Sequence, residues 1–178
     1  DGFKRFVITT AVIGCPVDSQ AYDSVKNYCK RNKAALLVLL AADPAASCGD
    51  TVDKKLANDH IITEEVALNS NIFLSTIKLS AKHIDPITSL GRIGQRNGSF
   101  IYASPKQRLK VVPVSNGTMP HVLMTTGAIT KPNYYTEKYM SERTAYIADN
   151  DHVMGAVVVE VVDNVFFHFR QLQFDKRG

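Results

Sequence analysis

The chain has 178 residues, 45% of them hydrophobic and 21% charged, with a formal net charge of +4. These are ordinary globular proportions, and a chain this long buries roughly 70% of its unfolded surface without metal or disulfide staples. Its three cysteines, Cys15, Cys29 and Cys48, are odd in number and lack CxxC spacing, which argues against a disulfide framework and a zinc site.

The first predicted element is a strand over Phe6 to Ile13, a continuous β-branched run suited to burial on both faces. Gly14-Cys-Pro16 breaks it, and Asp18 then stands where a helix N-cap belongs. Ala21, Val25, Tyr28 and Cys29 follow at helical spacing, and Lys30 to Lys33 place cations at the negative helix end. Ala34 to Leu40 is a second buried strand. This β-α-β order implies a parallel pair with a right-handed crossover.

Asp43 to His60, with Pro44 and Gly49, reads as a surface excursion. Thr63 to Leu68 is predicted as a short helix and Ile72 to Leu79 as a strand with one wetter face. Gly91-Arg-Ile-Gly94 and the glycines around it predict an exposed loop. From Ser99 the helical period disappears. Short apolar runs at 100–103, 109–114 and 122–125 alternate with turn residues, including Asn116-Gly117. Val157 to Val162 and Val165 to Phe174 are joined by Asp163-Asn164 as a hairpin. The predicted class is mixed α/β over residues 1–178: an N-terminal β-α-β parallel unit, then mainly antiparallel strands ending in a hairpin.

Cationic residues cluster in the second half of the chain. Lys106, Arg108 and Lys110 alternate and are expected on one face of a strand, either as a phosphate-facing stripe or as a charged solvent edge. Arg92, with Arg96, sits in a glycine-flanked segment shaped like a Gly-x-x-Gly clamp. Phe166, His168 and Arg170 point to one side of the predicted hairpin, and Phe167 and Phe169 to the core. The candidate nucleic-acid residues are therefore Arg92, Lys106, Arg108, Lys110 and Arg170. The mild basic lean, with a pI near 8.9, permits that contact without requiring it.

Thr125-Thr126-Gly127, after an apolar run, has the form of an anion-binding nest or of a plain turn; the tyrosine-rich loop Asn133-Tyr-Tyr135 follows. His152, His168, Asp149, Asp151 and Glu160 show no metal-ligand spacing, so no metal or other cofactor is expected within this segment. Nucleophile motifs and the Asp-x-His and Gly-Asn-His patterns of two-metal phosphoesterases are absent too. Gly14-Cys-Pro-Val17 is too poor in glycine for a dinucleotide fingerprint. The longest apolar run, residues 34–42, is well under the roughly 18 residues of a membrane-spanning helix, and no membrane partner is expected. The start at Asp1 and the stop at Lys176-Arg-Gly178 suggest a piece of a longer protein.

Met119 to Tyr134, Met154-Gly-Ala-Val-Val-Val-Glu160, Phe167-His-Phe-Arg-Gln171 and the opening Arg5-Phe-Val-Ile-Thr-Thr-Ala11 together resemble an amino-terminal module of tailed-phage proteins. Lys26-Asn-Tyr-Cys-Lys30 belongs to the same likeness, which spans nearly the whole chain apart from a divergent middle. In that family a calcineurin-like metallophosphoesterase follows the module, and pre-early phage proteins that act on host DNA are an affiliation. The resemblance implies an accessory domain of a DNA-processing metal-dependent phosphoesterase or nuclease. Its divalent metal, Mn or Mg, would lie downstream of Gly178, and its place would be the host cytoplasm. Where relatives carry paired histidines, this chain has Asp151-His152. Expected partners are DNA, the downstream phosphoesterase domain or a second copy. The alternative is a protein-protein interaction and assembly module without nucleic-acid binding.

Overall fold

The structure is a computed structural model that describes residues 4–41, 51–79, 85–114, 119–134 and 141–175. The Asp43-to-Gly49 part of the predicted excursion, Cys48, the Asn116-Gly117 turn, Tyr135 and the terminal residues 176–178 lie outside the described residues, as does the side chain of Arg96.

Strand β1 (Lys4–Val12) has five successive buried residues, Val7 to Ala11, as its β-branched composition predicts. Helix α1 (Ser19–Asn32) begins at Asp18, whose carboxylate accepts from the Ala21 amide at 3.0 Å. It ends at Lys33 in the left-handed region, φ 50°, with Lys30 and Arg31 in the last turn. Strand β2 (Ala35–Ala41) then pairs parallel with β1. The expected β-α-β unit is present.

Beyond it come β3 (His60–Ile62), β4 (Val66–Ala67) and β5 (Ile72–Ser75), then helix α2 (Gly91–Asn97). Strands β6 (Ser99–Tyr102), β7 (Leu109–Val112) and β8 (His121–Thr125) follow. Helix α3 (Glu142–Asn150) precedes the final pair, β9 (Gly155–Val161) and β10 (Phe167–Gln173). Two five-stranded sheets result, ordered β10-β9-β1-β2-β3 and β4-β5-β6-β8-β7.

The sheets pack face to face. Ile8, Leu39 and Val157 of the first meet Ile72, Ile101 and Met124 of the second in one apolar cluster. Val25 and Cys29 of α1 cover the outer face of the first sheet over Val7, Val38 and Val158. Ile87 and Leu90 cover the outer face of the second, over Phe100, Tyr102 and Leu123. The layers run helix, sheet, sheet, helix, a mixed α/β arrangement.

Some local expectations differ. The helix predicted over Thr63 to Leu68 is replaced by β4, which pairs antiparallel with β5. Asn69 causes this: its side-chain oxygen accepts from the Asn71 and Ile72 amides and reverses the chain. The strand predicted to reach Leu79 stops at Ser75, whose hydroxyl takes the Ile77 amide. The loop predicted at Gly91 to Gly98 is helix α2. Gly94 lies so close to the sheet that a Cβ there would stand 2.9 Å from Leu123 Cδ2. That glycine permits close helix-on-sheet packing rather than breaking a helix. The final hairpin is closed by a loop longer than two residues, where Asp163 accepts from the Val165 and Phe166 amides. Strand β6 runs parallel to both β5 and β8, whereas β7-β8 and β9-β10 pair antiparallel as expected.

Candidate functional site

The five candidate cations do not form one stripe. Regular strand begins only at Leu109, so the period-two rule does not extend back to Lys106. Lys106 turns inward and is 1% exposed. Its ammonium lies 3.4 Å from an Asp151 oxygen, and Arg108 reaches the same oxygen at 3.6 Å. Lys110 extends along the outer face of the second sheet and donates to the Thr88 carbonyl at 3.4 Å, near the start of α2, where Arg92 is exposed. Arg170 is on the other sheet. It lies over the Tyr28 ring, 5.9 Å from the centroid, donates to the Tyr28 hydroxyl and stands 3.9 Å from Glu160. Arg5 donates to that carboxylate at 3.0 Å. Lys106, Arg108 and Arg170 thus meet the chain's own carboxylates.

Thr125-Thr126-Gly127 is a buried junction between the sheets. The Thr126 hydroxyl donates to the Gly127 carbonyl at 2.7 Å, so in its 2.6 Å contact with Thr10 the proton comes from Thr10. The Thr125 hydroxyl donates to Lys106 O and accepts from the Arg108 amide. From Gly127 the chain crosses to the first sheet, where Ala128 bridges Thr10 and Met154. Two glutamines reinforce this end. Gln107 Nε2 donates to carbonyls of Thr126, Ala156 and Leu172, and Gln171 Nε2 to those of Arg108 and Thr125. The hydroxyls expected to serve an anion are inaccessible and engaged within the chain.

The histidines separate in role. His152 Nδ1 meets the Tyr134 hydroxyl and its Nε2 the Thr130 carbonyl, each at 2.9 Å. A neutral ring fits: Nε2–H donates to the carbonyl and Nδ1 accepts from the phenol. Burial holds its pKa below the usual histidine value, against a partly offsetting bond to Thr130. His168 is exposed on β10, on the same side as Arg170. Among the described residues no group of three or more His, Cys, Asp and Glu side chains could hold a metal ion. Nor is any described helix long and apolar enough to cross a membrane.

The most unusual surface is one that charge and motif patterns do not mark. The glutamine end of the sandwich is closed. Away from it a groove of about 410 Å³ lies between the start of β8 and the start of β10, lined by Met119, Pro120, Val122, Phe166, Phe167 and Phe169 among others. Val122 pairs with Val111 across β7 and β8. Val112 belongs to the outer cluster, so Leu109 and Val111, alternating with it, face the interior side of the sheet. They are nevertheless 48% and 57% exposed, with Met119 at 64% and Phe166 at 51%. Inward-facing Leu109 and Val111 meet solvent, and among the described residues no strand lies beyond either edge. The alternating pattern of β7 announces an inward apolar face, but not that the facing sheet leaves it uncovered.

No protein-family model matches the chain, and no curated protein matches it significantly. Among solved structures it is similar to Vps29 of Chaetomium thermophilum, at a TM-score of 0.39 and 10% identity over 97% of this chain and 99% of that one. A likeness at that level carries no argument about what this chain does.

Proposed function

We propose that the chain is a protein-binding and assembly module whose partner packs along the open flank between β7 and β10. The carrying observation is the exposure of four apolar side chains, Leu109 and Val111 on β7 and Met119 and Phe166 at the groove. Exposed apolar patches mark interaction sites in folded proteins. The resemblance to an amino-terminal phage module supports the same reading, since such a module would dock a neighbouring phosphoesterase domain or another subunit. A nucleic-acid surface has less support. Of the five candidate cations only Lys110 and Arg92 lie near one another without a carboxylate within ion-pair distance among the described residues.

Site-specific photocrosslinking in the native cell tests the reading. A photoreactive phenylalanine analogue would replace Val111 or Phe166, with exposed Tyr146 on α3 as the control position. Covalent capture of polypeptide at the first two positions and not at the third is expected. Capture of nucleic acid, or yields no higher than at Tyr146, would overturn the proposal.

A further inference from the structure

Resting on the docking reading, we infer that the flank takes an extended peptide segment that pairs with the β7 edge and alternates apolar and acidic residues. The Thr125 amide donates to the Arg108 carbonyl, which sets the phase of the β7-β8 pair. In an antiparallel ladder, bonded and non-bonded positions alternate. Lys110 and Val112 therefore direct their backbone groups at β8, and Leu109 and Val111 direct theirs away from it. The Val122 amide, opposite Val111, accordingly turns to the Ser99 hydroxyl at 3.0 Å.

The residues with outward backbone groups are thus the ones whose side chains face the cleft. A strand added at Leu109 and Val111 would gain main-chain hydrogen bonds. Side chains opposite these two positions would fall on the interior side of the sheet, beside the exposed Leu109 and Val111. Those positions call for apolar residues.

The position between them faces Lys110. Its ammonium donates to the Thr88 carbonyl and has no carboxylate within ion-pair distance among the described residues. Asp85 lies near enough to feel its charge, but its carboxylate is occupied by Thr88 and the Ile87 amide. No Asp or Glu occurs on β7, β8 or β10, whose charged residues are Lys110 and Arg170, with His121 and His168. An acidic residue opposite Lys110 would be favoured as a cross-strand pair.

The sequence of β7 disfavours a second copy. An antiparallel β7-β7 pair centred on Lys110 places that lysine against itself, and one centred on Leu109 places it against Arg108; like charges directly opposite destabilise a sheet. One centred on Val111 sets Leu109 against Pro113, which has no amide to donate. The occupant is therefore a different segment with an apolar-acidic-apolar alternation.

The probes are two capped peptides, Thr-Val-Glu-Val-Glu-Val-Thr and its counterpart with lysine in place of both glutamates. Amide hydrogen exchange of the full chain is followed with each. The glutamate peptide is expected to slow exchange at Leu109 and Val111 by about tenfold or more, and the lysine peptide to leave it unchanged. Lys110→Glu should reverse that preference. Val111→Pro removes an amide that β8 does not use, so it should keep the fold and abolish protection at Leu109. Absence of protection, a preference unmoved by Lys110→Glu, or protection that grows with protein concentration without peptide would each overturn the inference. The first two would leave the photocrosslinking result standing, which separates failure of the peptide chemistry from failure of the docking reading.

Discussion

At Tyr102 the ring is fully buried beside Phe100, and the phenol oxygen has no hydrogen-bond partner among the described residues. Burial pushes its pKa up to about 12, with a smaller contribution from Glu65. An unsatisfied buried hydroxyl costs about 1–3 kcal/mol. Tyr102→Phe removes the hydroxyl and keeps the ring, so it should raise stability by up to about 1 kcal/mol in urea unfolding. A clear loss would show that the oxygen is satisfied. His152 behaves in the opposite sense to a surface histidine. Its folded pKa lies below the ordinary value, so between the two values the unfolded state holds the extra proton. Stability is then complete above the unfolded value near 6.5 and is lost as pH falls toward the folded one, at no more than about 1.4 kcal/mol per pH unit. His152→Gln should flatten that part of the stability-pH curve relative to the wild type; parallel curves would contradict the assignment.

Among the elements, the turn from β8 into the first sheet depends most on one residue. Gly127 has φ 78°, and a Cβ there would meet the Val153 carbonyl oxygen at 2.9 Å and Gly155 Cα at 3.1 Å. Both obstacles are backbone. Gly127→Ala should therefore cost at least about 2 kcal/mol, the sum of left-handed strain and overpacking, read as a lower urea midpoint. A change of a few tenths would show that the turn relaxes freely. Elements whose cause is local were legible. Helix α1 follows from Asp18 and the Ala21-Val25-Cys29 face, and β1 and β2 from continuous β-branched and leucine runs. Helix α2 was not, because Gly91 and Gly94 signal flexibility in sequence while Gly94 is there to meet Leu123, whose position is set by the sheet. Lys106 was misplaced for a related reason: its inward turn depends on Asp151, far along the chain.

For the molecule as a whole, closure at one end and opening at the other have one origin. The threonine and glutamine contacts join the sheets where β8 crosses to β1, and away from that junction no described side chain bridges β7 to β10. The sequence states which residues are apolar and how they alternate, but which of them the facing sheet covers is a property of sheet order and twist. Charge alternation is therefore visible in the sequence, whereas the exposure of Leu109 and Val111 is not. The central claim is that this flank is uncovered in the free chain. Residue-resolved amide hydrogen exchange of the isolated, monomeric protein measures it directly. The account predicts protection at Lys110 and Val112, whose amides bond to β8, and rapid exchange at Leu109 and Val111. Equal protection at all four would mean that the edge is already covered, and would contradict the claim.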